Sequence, residues 1–189
     1  MSWNTSAVLI KIKKIVLQKS KIMGEDPARL LEVLGFPRAK FERTIHFTEA
    51  ASSDLPGRAL TVTEDWTAIF DPQAFGIFSG APTADGFLPA MLERKLAILS
   101  KEAEVFSFML AGTSDTAAFT HFVGGARIRC LLMQEGAAAL DIGTPSAVES
   151  AVIAETPDME DAVFSIAERL GFDLFAEPSP PYSLYSFGR

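Results

Sequence analysis

Apolar and polar residues alternate along 41–48, with Phe41, Arg43, Ile45 and Phe47 on one side and Glu42, Thr44, His46 and Thr48 on the other. A period of two puts successive side chains on opposite faces, so this stretch predicts a strand with one buried face. A helical period governs 27–34, where Leu30, Leu31 and Leu34 form the apolar stripe. Asp26 is placed to cap it and Pro27 suits its first turn. Gly35-Phe36 reads as a left-handed stop with a fold-back contact, and Pro37 blocks continuation. The same punctuation returns near the C-terminus, where Asp158 precedes Met159, Ala162, Val163, Ile166 and Leu170, and Gly171-Phe172 follows. Between them, 88–101 predicts a helix with Leu88, Met91, Leu92, Leu96 and Leu99 on its core face.

Two apolar runs joined by Gly124-Gly125 predict a β-hairpin over 117–134, because a two-residue loop needs positive φ and glycine adopts it without a Cβ penalty. Pairing Val123 with Ala126 and continuing regularly sets Phe122 opposite Arg127, His121 opposite Ile128, Thr120 opposite Arg129 and Phe119 opposite Cys130. In that register Arg127 and Arg129 share a face with Phe122 and Thr120, while His121 and Cys130 share the other. Further strands are expected over 8–17, over 60–70 as two pieces broken near Glu64-Asp65, over 105–110 and over 137–142. Residues 71–87 read as a long irregular loop carrying Phe75, Phe78 and Phe87.

The expected fold is therefore α+β: a mainly antiparallel sheet with about three helices packed on it. The expected organisation is a single domain over 1–176 followed by a tail over 177–189, which holds three prolines and ends in Tyr182, Tyr185 and Phe187. The tail is expected to lie on its own domain, with strand exchange in a homodimer or presentation of a partner motif as the alternatives.

Composition narrows the function. A net charge of −7 opposes nucleic acid, since phosphate backbones repel an acidic chain unless its cations are segregated. Lys11, Lys13, Lys14, Lys19 and Lys21 do precede the first acid, leaving 12 of the 17 basic residues against all 24 acidic ones. Lys11 and Lys13 alternate with Ile10 and Ile12, which reads as a strand whose exposed lysine edge discourages aggregation; a patch for nucleic acid or an acidic partner is the alternative. Fifteen Phe against two Trp and two Tyr favour a dry core over a recognition surface. One cysteine forms no internal disulfide, which fits a reducing, cytoplasmic compartment. Neither a signal peptide nor a membrane span is read, so no membrane partner is expected.

Candidate chemistry is sparse. Gly112-Thr113-Ser114-Asp115 lacks the second glycine of a nucleophile elbow and reads as a turn. No phosphate-binding glycine motif and no zinc-ligand spacing occur, with His46 and His121 standing 75 positions apart, so no cofactor and no metal are expected. The candidate ligand-binding set is Arg127 and Arg129 with Phe122, His121 and His46: two arginines on one strand face suit a small acidic ligand held bidentately. Cys130 with His121 reads as core, and no catalytic residue is assigned.

The run through Glu104-Val105, Phe119, Gly125, Arg129, Gly143, Pro145 and Glu149 resembles a pattern in small uncharacterised bacterial proteins, over about residues 95–175. There an aromatic strand and Gly-x-x-x-Arg lead to Gly-x-Pro, a glutamate and a closing helix. The resemblance implies a fold and an immunity or interaction role, with no assigned reaction. The expected function is thus a non-enzymatic interaction or regulatory protein, with a protein partner or a second copy. A small anionic-ligand domain or an unrecognised enzyme is the alternative.

Overall fold

The computed structural model describes residues 3–12, 26–71 and 86–187. Most of the 71–87 loop, including Phe75 and Phe78, lies outside them, as do Lys13, Lys14, Lys19 and Lys21. Nine strands form one antiparallel sheet: β1 (Asn4–Lys11), β2 (Ala39–Ile45), β3 (Arg58–Val62), β4 (Trp66–Phe70), β5 (Glu104–Ala111), β6 (Thr116–Val123), β7 (Ala126–Gln134), β8 (Ala137–Ile142) and β9 (Tyr182–Phe187). Their order is β2-β9-β3-β4-β1-β5-β6-β7-β8. The α+β class and the antiparallel sheet stand as expected. About three helices were expected and five are described: α1 (Ala28–Leu34), α2 (Phe47–Ala50), α3 (Ala90–Leu99), α4 (Ala147–Glu155) and α5 (Met159–Arg169).

The punctuation works as its chemistry requires. Asp26 Oδ1 accepts the Ala28 amide at 2.9 Å, and Asp158 Oδ1 accepts those of Glu160 and Asp161. Gly35 and Gly171 take φ of 104° and 92°, and the amides of Phe36 and Phe172 reach back to Leu31 and Ala167. Both helices thus end on a left-handed backbone position that glycine adopts without a Cβ penalty, with the following phenylalanine folded onto the core.

Helices cover both faces of the sheet. On one face α2, α4 and α5 close over Trp66, Phe70, Phe106, Phe108, Phe119 and Tyr182. On the other, α1 and α3 insert Leu30, Leu31, Leu34, Leu92, Leu96 and Leu99 against Val8, Ile10, Leu60, Ile69, Val105 and Phe122. Each fully buried side chain of this size contributes ~1.5–3 kcal/mol, so the two layers supply most of the driving force. Strand β1, at the centre, alternates Ala7 and Leu9 toward the first face with Val8 and Ile10 toward the second.

Several expectations change. β2 stops at Ile45, and Phe47 belongs to α2 instead of the strand; all of β2 between Lys40 and Thr44 is exposed, because it is an edge strand. The C-terminal segment supplies β9, which pairs with β2 on one side and β3 on the other within the same chain. Met91, placed on the core face of its helix, points outward. Three bulges interrupt the sheet, at Glu42 in β2, Ile128 in β7 and Ala139 in β8, and two of these lie on the edge strands, where bulges discourage further pairing. No helix among the described residues is long and apolar enough to cross a membrane.

Candidate functional site

The hairpin forms around Gly124 and Gly125, whose φ values are 62° and 89°, and starts as expected with Val123 opposite Ala126 and Phe122 opposite Arg127. One residue later it departs. Ile128 bulges out, so His121 faces Arg129, Thr120 faces Cys130 and Phe119 faces Leu131. The extra residue cancels the normal i, i+2 relation. Arg127 and Arg129 consequently lie on opposite faces of the sheet, and the shared arginine face does not exist.

Each arginine is consumed by a helix on its own side. Arg129 is buried, with Nε 2.9 and 3.0 Å from the two carboxylate oxygens of Glu149 and Nη2 2.7 Å from Oε1. Its Nη1 donates to the Asp141 carboxylate and to the carbonyls of Ile142 and Gly143, at 3.0 and 3.2 Å for the carbonyls. Burial opposes its charge, but the hydrogen bonds to Glu149 and Asp141 outweigh that and hold the guanidinium more firmly protonated than usual. Glu149 is positioned by the start of α4, where Ser146 Oγ accepts the Glu149 amide at 3.0 Å. Gly143 completes the corner: it has φ of +87°, and a Cβ there would stand 2.1 Å from the Ile128 carbonyl oxygen. The spacing Ser146-x-x-Glu149 is that of a capping box and marks the start of α4, although the Glu149 carboxylate turns to Arg129.

Arg127 turns to the other face, where Nη1 meets Glu93 Oε1 of α3 at 2.7 Å. Phe122 is fully buried in that aliphatic layer and offers no surface to a ligand. Cys130 lies on the same side, and burial pushes its thiol up, away from the reactive thiolate. His121 stays on the aromatic face, edge-on to Phe106, with Nε2 2.8 Å from Glu104 Oε1. Lys11 Nζ is 4.0 Å from the other Glu104 oxygen and donates to the Leu170 carbonyl at 2.5 Å, closing the C-terminal end of α5.

His46 is far from this corner, since six strands separate β2 from β7. It is exposed at the start of α2, beside the Arg43–Glu49 pair, whose hydrogen bonding lowers the Glu49 pKa. A cleft of about 340 Å³ opens near that edge, lined by Glu42, Arg43, Pro56, Gly57, Leu184, Tyr185 and Ser186. Its charges already have partners: Glu42 takes the Ser186 hydroxyl and Arg43 is held by Glu49. A third arginine, Arg58, is held between the rings of Phe36 and Phe187, 3.8 and 4.4 Å from their centroids, with Nε 2.6 Å from Asp71 Oδ2. Local sequence could not reveal this assembly, because its members come from four separate parts of the chain.

Among the described residues, no three His, Cys, Asp or Glu side chains gather as metal ligands do. The two most exposed large apolar side chains among the described residues lie on the outer side of α3, where Met91 and Ile98 are 73% and 58% exposed. No family model matches the chain, and no curated protein or solved structure matches it significantly.

Proposed function

We propose that this is a non-enzymatic interaction or regulatory protein, of the immunity-like kind suspected among the small uncharacterised bacterial proteins that its sequence resembles. The observation that carries the reading is the internal neutralisation of Arg127 and Arg129 by Glu93 and Glu149. An anion entering either place would displace a carboxylate already held by charge-assisted hydrogen bonds, and at Arg129 it would also expose a buried acid. These arginines fasten helices to the sheet, which leaves recognition to the molecular surface, where large apolar side chains of α3 stand in water.

Native mass spectrometry of the protein purified gently from its host tests this. A heteromeric mass is the expected outcome. A stoichiometric small anion, lost on mutation of Arg127 or Arg129, would overturn it in favour of a ligand-binding domain.

A further inference from the structure

Met91 and Ile98 are the two most exposed large apolar side chains among the described residues. Seven positions apart, they sit two turns from each other on one side of α3, about 10 Å along its axis. The exposed Arg94 lies between them, and the exposed Lys101 continues the line just beyond the helix end. The core does not need this stripe, because Leu92, Leu96 and Leu99 already fill the inner side of the helix. The one acid within α3, Glu93, is engaged by Arg127. The neighbouring α1 adds the exposed Val33 and Arg29 to the same layer, with the exposed Glu32 between them in sequence. In a chain of net charge −7, two large apolar groups thus have the exposed Arg94 between them and the exposed Lys101 beyond, followed by the exposed Glu102.

We propose that the outer stripe of α3 docks an acidic amphipathic helix of a partner protein. The inference rests on the interaction reading and names its surface. The partner's apolar ridge would seat between Met91 and Ile98, and its flanking carboxylates would meet Arg94 and Lys101. A second copy is a poor occupant: two-fold packing of α3 on itself centres between Arg94 and Lys95 and sets like charges together. An anionic membrane is also a poor fit, since a stripe one helix wide offers few cations while the whole molecule is repelled.

The test is an amide-resolved NMR titration of the full chain with a synthetic helical peptide carrying leucine on one stripe and glutamate on both flanks. A scrambled peptide and phosphatidylserine vesicles serve as comparisons. Shifts confined to residues 90–101 are expected with the ordered peptide, weakening as salt rises. Replacing Met91 and Ile98 together by serine should weaken binding by roughly tenfold or more with the melting temperature unchanged. An Arg94→Glu variant should do the same without touching apolar area. Equal response to the scrambled peptide, no response at millimolar peptide, or shifts mapping elsewhere overturns the proposal. So does vesicle binding, or self-association that the serine variant abolishes. A heteromer from the host that survives the serine variant would sink this surface and leave the interaction reading standing.

Discussion

On the face beneath α4 and α5, Phe70 meets Phe108, and Phe106 meets both Phe108 and Phe119, ring to ring, and Ala7 is flanked in register by Phe70 and Phe108. On the face beneath α1 and α3 the contacts run mainly among leucine, isoleucine and valine, with Phe122 the only fully buried phenylalanine there among the described residues. The aromatic face sets large residues beside small ones, as where Phe70 and Phe108 meet across Ala7. The aliphatic face fills space with branched side chains that tolerate adjustment. Both layers are nevertheless fastened to β7 by an Arg–Glu pair. The chemistry is the same while the solvent differs: the side chains of Arg129 and Glu149 are 5% and 3% exposed, those of Arg127 and Glu93 16% and 29%.

That difference sets the largest expected effect. Arg129→Leu leaves Glu149 buried without a cation and should cost about 3–5 kcal/mol in urea denaturation. Arg127→Leu leaves Glu93 able to reach water and should cost about 1 kcal/mol or less. Replacing Arg129 and Glu149 together by leucine should recover most of the loss, since the penalty comes from the stranded charge. Equal costs at the two arginines would break the comparison.

The bulge can be tested by removing it. Deleting Ile128 keeps Arg127 opposite Phe122 and Arg129 opposite His121, so both arginines retain their faces. The fold should survive with a loss of about 1–2 kcal/mol in thermal unfolding, within the ordinary range for single changes. Deleting Leu131 instead flips one part of β7 relative to the sheet, burying polar residues, and should abolish cooperative unfolding. A Leu131 deletion that folds as well as the Ile128 deletion would show that register matters less than argued.

The sequence carried the hairpin turn, its first two pairs, the capped ends of α1 and α5, and the strands on either side of Glu64-Asp65, because each is decided by residues close together. It did not carry Ile128's bulge, where nothing in the local pattern marks an isoleucine as extra. That position is set by the Gly143 backbone pressed on its carbonyl and by Glu149 drawing Arg129 toward α4. The candidate site failed for the same reason: one inserted residue separates two arginines that a regular strand would unite. Met91 fits a helical apolar stripe as well as Leu92 does, and only the direction of the sheet decides which turns inward. β9 was missed as an inner strand because its partners lie more than a hundred residues away.

The smallest effect reports on both faces at once. The chain's two tyrosines lie three residues apart in β9, Tyr182 in the aromatic layer and Tyr185 in the aliphatic one. Burial raises both phenol pKa values. At Tyr182 burial is the sole cause, whereas at Tyr185 the charge of Asp26 adds to it and a hydrogen bond with Ser183 opposes it. A raised folded pKa means the unfolded chain releases its protons first, so this stability is intact below about pH 10 and is lost as pH climbs toward the folded values. Phenolate absorbance should therefore rise first from Tyr185, with Tyr182 ionising only as the circular dichroism collapses. Tyr182 also buries a hydroxyl with no hydrogen-bond partner among the described residues. Tyr182→Phe removes that unsatisfied group while keeping the ring against Phe47 and Phe70, and should be neutral or stabilising by up to about 1 kcal/mol. A loss of stability instead would mean that the hydroxyl is satisfied within the aromatic layer, and that this face is less dry than its composition implies.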